Sequence, residues 1–290
     1  MSSAEPSRFS LGACASLACL WEATSAKPGN VHRGADFEDL SYADFLASAA
    51  VIGPVIERCS EQGLGATVLA GVEATQRVAG VNTNLGTLLL LAPLAMAKGD
   101  TQLAGKLIEQ ATADDVADIY QAIRLAKPGG LGEVEQGDVA QPPEHSLLAA
   151  MQLAADRDLI ARQYTTNFAD VVAAADYIES HLAGGRKLND SIVLGQLLLL
   201  SRHGDSLVAR KLGQQLSDDL ATQAATTLAL YTQDIEAYYR GVADLDFWLR
   251  ADGHRRNPGT TADLLAAALF VLLVQNRLSM PVQFYAPPVE

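Results

Sequence analysis

Three polar, glycine-bearing connectors stand out from an Ala- and Leu-rich background: KPGNVHRGADFED at 27–39, GVNTNLG at 80–86 and NPGTTADLLAA at 257–267. Each runs into an apolar helical pattern. In the first, Lys27, His32 and Arg33 bring positive charge, while Asp36, Glu38 and Asp39 bring carboxylates. Those types can hold a phosphate beside a divalent ion, and they can equally form a solvated turn. In the second, Asn82 or Thr83 can cap a helix beginning near Leu85, whose free N-terminal amides would bind an anion. A single cap does not require two asparagines around a threonine between two glycines. In the third, Thr260 or Thr261 can cap the last helix, and Asp263 in its first turn suits the positive end of the helix dipole. Glu22 lies in a helix dense in Leu and Trp just ahead of Lys27, where a buried acid would need that lysine as its partner; a surface position is the alternative. Glu73 reads equally well as a surface acid, and Asp190, ahead of Ser191, as a capping residue.

Composition narrows the chemistry. No Walker-type phosphate loop, no GxGxxG after a strand, no HExxH and no GxSxG occurs, so the usual nucleotide folds have no support. A formal charge of −13 disfavours DNA, RNA and anionic membrane surfaces, and an anionic substrate would need a locally basic pocket. That makes the cluster of His254, Arg255 and Arg256 beside the NPG turn notable. The cysteines Cys14, Cys19 and Cys59 show no metal-binding spacing and leave one over in any disulfide count, which points to a reducing, cytoplasmic setting. The apolar runs Leu85 to Ala97 and Leu264 to Val274 fall short of the roughly 20 residues that span a bilayer and read as buried helices. Arg8 followed by Leu11 to Trp21 has the outline of an export signal, but no small-residue cleavage site follows it.

Helical spacing of apolar residues recurs from end to end. A first helix carries Cys14, Leu17, Leu20 and Trp21 and stops at Lys27-Pro28-Gly29. The next opens with a Ser41–Asp44 capping box and buries Phe45, Leu46, Ala49 and Ile52. Further helices are predicted at Leu64 to Val78, Leu85 to Ala97, Gln102 to Gln110, Asp114 to Ala126, Glu144 to Gln163, Phe168 to Leu182, Ser191 to His203, Ser206 to Tyr231 and Ala262 to Val274. The chain is therefore expected to form one all-α domain over 1–290, with its active site in loops at helix ends. The Gly- and Pro-rich stretch Lys127 to Pro143 reads as an active-site loop, because helical patterning resumes on both sides without a change of composition.

Taken in order, Glu22 followed by KPGNV, GADFED with the FLASA helix at Phe45 to Ala49, GVNTNLG, Asp190 and NPGTTADLLAA resemble the triphosphoribosyl-dephospho-coenzyme A synthase family. That family includes enzymes preparing the prosthetic group of citrate lyase and malonate decarboxylase. The resemblance covers most of the chain and implies an all-helical transferase. It would join the triphosphoribosyl group of ATP to a ribose hydroxyl of 3′-dephospho-coenzyme A and release adenine, with Mg2+ offsetting the triphosphate charge. Its substrates would be these small molecules or a related nucleotide, with neither nucleic acid nor membrane as a partner; a homodimer remains an open assembly. Carried onto this chain, the resemblance places Lys27, Pro28, Gly29, Asn30, His32, Arg33, Asn82, Thr83, Asn84, Gly86, Asn257, Gly259 and Asp263 around nucleotide and phosphate. It makes Glu22, Glu38 and Glu73 candidate catalytic acids or bases and Asp36, Asp39 and Asp190 candidate metal ligands. The chain departs from the family pattern at three places. NTHKG becomes Asn82-Thr83-Asn84-Leu85-Gly86, a histidine and methionine near Gly34 become Asp36 and Asp39, and DTN becomes Asp190-Ser191-Ile192. Loss of a lysine beside a triphosphate calls for another base, with Arg33 or Arg255 in view. The alternatives are a divergent enzyme using another phosphorylated ribosyl donor or acceptor, for instance in pterin biosynthesis, and a noncatalytic nucleotide-binding protein.

Overall fold

The computed structural model describes residues 7–129 and 145–285. Among them run α1 (Leu11–Thr24), α2 (Tyr42–Glu57), α3 (Cys59–Gln62), α4 (Leu64–Val78), α5 (Leu85–Met96), α6 (Thr101–Glu109), α7 (Ala113–Ala126) and α8 (Leu147–Ala154). The order continues with α9 (Leu159–Thr165), α10 (Ala169–Ala183), α11 (Leu188–His203), α12 (Ser206–Leu212), α13 (Gln214–Leu230), α14 (Ile235–Arg250) and α15 (Gly259–Val274). A four-residue extended piece, Ala251–His254, precedes the last connector and builds no sheet. The fold is all-α, as the composition implies. None of the described helices is long and apolar enough to cross a membrane.

Two helices that are apolar all round supply the centre. Every residue of α15 from Leu264 to Val274 is buried, as is nearly all of α5, and a helix without a polar face has to lie inside. Around this pair α1 packs on α2 through small residues: a Cβ on Gly12 would collide with the Gly53 backbone and one on Gly53 with Ser16 Oγ, which donates to the Ala49 carbonyl at 2.8 Å. The Leu11 to Trp21 segment is thus a core helix. A second apolar cluster joins Leu194, Leu197 and Leu200 of α11 to Val208, Leu220, Tyr238, Leu245 and Leu249. α11 ties the clusters together, because its Leu188, Ile192 and Leu199 belong to the central one.

The capping boxes at Ser41–Asp44 and Thr112–Asp115 form as their spacing predicts. Other boundaries differ. The predicted helix Ser206 to Tyr231 is two helices, broken at Gly213, whose φ of 95° leaves the helical region. The predicted helix Glu144 to Gln163 divides into α8 and α9, where Asp158 accepts from the amides of Ile160 and Ala161; Glu144 itself lies outside the described residues. Helix α14 falls in a stretch to which the sequence reading assigned no element. Of the predicted loop Lys127 to Pro143, only Lys127 to Gly129 lie within the described residues.

The head of α15 also departs from expectation. It begins at Gly259, and neither Thr260 nor Thr261 caps it. The remote carboxylate of Asp205 does so, taking the amide and hydroxyl of Thr261 at 2.8 Å each while also taking the amides of Leu207 and Val208. One fully buried acid therefore closes the N-termini of both α12 and α15, and those four donors compensate its desolvation.

Candidate active site

A cavity of about 530 Å³ opens where the heads of α5 and α15 and the end of α1 face α7, α8, α9 and α12. All three polar connectors reach it. Asn30 Nδ2 donates to Asn257 Oδ1 at 2.6 Å, tying the first connector to the third, and Gln196 Nε2 holds the Pro28 carbonyl and Asn30 Oδ1 at 2.9 Å each. Thr87 Oγ1 donates to Asp263 Oδ1 at 2.6 Å, tying the head of α5 to that of α15. This approach needs Gly86, since a Cβ there would collide with the Asp263 carboxylate. Asn82 Oδ1 accepts from the Leu85 amide at 3.1 Å, while Thr83 Oγ1 donates to Ser48 and Thr75 Oγ1 to Asn84 Oδ1.

The floor of the cavity is acidic. Glu22, 7% exposed, pairs at 2.9 Å with Lys27, which is wholly buried beneath it and also donates to the Glu22 and Ser25 carbonyls. Burial pushes the Glu22 carboxyl above and the Lys27 ammonium below their ordinary values, each opposed by the partner's charge. Burial pushes the Asp263 carboxyl up to about 8; the Thr87 bonds work against that shift and the Glu22 charge adds to it. Burial thus pushes both carboxyls toward the protonated form, and at Glu22 the Lys27 charge and hydrogen bond work against that shift.

The facing wall is cationic. Lys127, Arg157, Arg210 and Lys211 all line the cavity, and of these only Arg210 has a described carboxylate partner, Asp158. They come from the end of α7, the α8–α9 turn and the end of α12, segments that share no motif.

A family model described as CitG, ATP:dephospho-CoA triphosphoribosyl transferase, matches residues 8–282. The chain belongs to this family. Its reaction moves the triphosphoribosyl group of ATP to dephospho-coenzyme A, so the protein is a transferase. The chain is similar to a crystal structure from Archaeoglobus fulgidus, provisionally named a triphosphoribosyl-dephospho-coenzyme A synthase. That match has a TM-score of 0.61 and 25% identity, and covers 79% of this chain and 98% of that one. No curated protein matches the chain.

Against the residues expected from the CitG pattern, the cavity gathers Glu22, Asn30, Asp39, Asn82, Thr83, Asn84, Gly86, Asn257, Gly259 and Asp263. Lys27, Pro28 and Gly29 lie buried behind its floor, with the Gly29 amide donating to Asp246 at 2.7 Å. His32 does not line the cavity; burial, then the charges of Arg250 and Lys27, hold its imidazole below the usual range. Glu38 is exposed and off the cavity, and Glu73 pairs with Arg77 at 3.3 Å on the outer side of α4. The three aspartates expected at a metal are engaged separately. Asp36 accepts from the Tyr42 amide, Asp39 from His254, and Asp190 from Asn189. Among the described residues no three His, Cys, Asp or Glu side chains are grouped to hold a metal.

The two bases expected to stand in for the family's lysine do not reach the cavity. Leu85, at the lysine's position, packs into the core. Arg33 stacks over Tyr285 at 4.6 Å, Arg255 pairs with Asp252 at 3.2 Å, and neither lines the cavity. Of the four cations of the facing wall, only Lys127 falls in a segment that the sequence marks as an active-site loop.

Proposed function

We propose that this cavity binds ATP with its ribose against the Glu22–Asp263 floor and its phosphates toward Lys127, Arg157, Arg210 and Lys211, and there performs the family's transfer to dephospho-coenzyme A. The carrying observation is the polarity of one cavity, with Glu22 and Asp263 on one wall and four cations, one of them paired with Asp158, on the other. Beside the cations a triphosphate gains charge-assisted hydrogen bonds, whereas a charged Glu22 would repel it. The sugar carbon, which turns partly positive as its bond to adenine stretches, gains from the Glu22 carboxylate.

In this arrangement the C1′–N9 bond of ATP breaks as a bond forms from C1′ to the acceptor ribose oxygen. Glu22 takes the proton of that hydroxyl, and Asp263, protonated at neutral pH, supplies the proton that departs with adenine, so charge and atoms balance. The Leu85 and Thr87 amides at the head of α5 are already taken by Asn82 and Asp263, so this reading places no phosphate on them. No protein cage for a divalent cation exists among the described residues, so magnesium belongs to the phosphates of ATP in this reading, and no step above depends on it.

The test is release of adenine from ATP, magnesium and dephospho-coenzyme A, followed by chromatography. Stoichiometric adenine and a product carrying the triphosphoribosyl group are expected. Binding of ATP with no adenine released overturns the reading.

A further inference from the structure

The carboxylates and cations leave one part of the cavity without a role. On α7, Ile119 and Ile123 face the cavity one turn apart, and Lys127, the residue capping that helix, faces it next. On α8, Leu147 and Met151 repeat the spacing, and Arg157 faces the cavity just beyond the helix end. Two separate helices thus present the same succession, an apolar stripe running into a cation. Ile123 and Met151 are half-buried, which leaves apolar surface open to the cavity. Neither a triphosphate nor a ribose uses such a surface, the adenine of the donor lies by Asp263 in the reaction proposed above, and exposed apolar area of this kind marks a place for a ligand.

We propose that the α7–α8 wall is the acceptor subsite: the stripes hold the pantetheine arm of dephospho-coenzyme A, and Lys127 and Arg157 hold the diphosphate to which the arm is joined. The inference rests on the function proposed above and goes further by dividing the cations, leaving Lys211 and Arg210 on α12 to the donor. The match is one of order along a chain. The acceptor has a long, uncharged arm of methylene and methyl groups interrupted by two amides and a hydroxyl, followed by two phosphates and then a ribose. The wall has apolar side chains followed by cations and then, across the cavity, the acid floor where the ribose hydroxyl reacts. Methionine in such a stripe suits a flexible arm, since its unbranched thioether adapts to irregular surfaces.

The experiment compares dephospho-coenzyme A with the β-methyl ester of ADP, which keeps the adenosine and the diphosphate charge but ends where the arm begins. Affinity for each is measured by calorimetry and kcat/KM by adenine release. The wild-type protein should prefer dephospho-coenzyme A by about tenfold or more, and Ile123→Ser and Met151→Ser should each reduce that preference by about tenfold. Lys127→Met with Arg157→Met should weaken both acceptors alike and keep the preference. Because the first comparison needs no variant, a serine substitution that fails to fold does not remove the test. Equal affinity of the wild type for both ligands, or an unchanged preference in folded Ile123 and Met151 variants, overturns the proposal. Absence of adenine release by the wild type would sink the proposed reaction, while the calorimetric ratio still decides the subsite.

Discussion

The two walls of the cavity are built on opposite plans. The floor comes from helix heads and the connectors that precede them, and its polar groups are bound to one another: Glu22 to Lys27, Asn30 to Asn257 and Gln196, Asp263 to Thr87. The facing wall comes from helix ends, and Lys127, Arg157 and Lys211 have no described carboxylate partner. A group already satisfied by its neighbours is held in place and tuned, whereas a cation without a partner is available to a ligand. In the function proposed above, the difference would separate positioning and proton transfer on the floor from charge capture on the wall. In a chain of net charge −13, three cavity-lining cations without a carboxylate partner among the described residues are what the proposed function assigns to polyphosphate.

The strongest test of this division is Glu22→Gln. Turnover should fall roughly a hundredfold or more, since glutamine cannot take the acceptor's proton. The single change also strands the Lys27 charge in the interior, at a cost of about 3–5 kcal/mol. The double variant Glu22→Gln with Lys27→Met should recover the melting temperature and leave turnover low. If activity returns along with stability, the pair is structural and the floor has no base at Glu22.

Asp263→Asn comes next. A neutral amide can keep the Thr87 bond but cannot give a proton to adenine, so turnover should drop roughly a hundredfold. Activity of the wild type should decline as pH rises through about 8, and this limb should disappear in the variant. Stability supplies an independent readout. Burial raises the folded-state value from 3.8 to about 8, so the native chain holds a proton that the unfolded chain releases. The contribution is complete below pH 4, shrinks as pH rises, and is lost through pH 8; Asp263→Asn should flatten that decline in a melting series. A variant with an unchanged alkaline limb would leave the acid role unsupported.

The two walls also differ in how legible they were before any coordinates. The floor announced itself because polar types were crowded into short connectors, and because Glu22 sat in an apolar helix five residues from Lys27, where burial demands a partner. The facing wall did not: Arg157, Arg210 and Lys211 look like ordinary surface cations until α8, α9 and α12 are folded together. Asp205 shows the same limit. It reads as a plain N-cap for α12, and its second duty at α15 exists only in three dimensions. Most helices follow from apolar spacing, yet α14 was missed. Its buried Tyr238, Leu245 and Leu249 are sparse among acids and aromatic residues that face outward, such as Phe247. Glu38 and Glu73 were credited with chemistry by their position in motifs, which says nothing of which way a side chain faces.

On the wall, the expected effects are smaller and of another kind. Lys211→Met removes one charge-assisted contact to the donor, which should raise KM for ATP by about tenfold to a hundredfold and change kcat much less. Part of this cost should fade with added salt, because an attraction at the cavity mouth is screened where the Glu22–Lys27 pair is not. Equal loss in kcat and kcat/KM would move Lys211 from charge capture into the chemical step and blur the division.

The smallest effect is expected where the motif pattern had promised a large one. Glu38 is exposed, Glu73 lies on the outer side of α4, and neither lines the cavity. The Glu73–Arg77 contact joins residues one turn apart on an exposed surface, a pair worth about 0.3–0.5 kcal/mol. Glu38→Gln and Glu73→Gln should therefore leave kcat within about twofold, with only a slight fall in melting temperature for the second. Both are read in the same adenine-release assay as Glu22→Gln, which makes the contrast internal. A hundredfold loss at Glu38 would mean that the first connector closes over the cavity during turnover and brings that carboxylate to the sugar, and the acid floor would then have to be redrawn to include a residue from the cavity's rim.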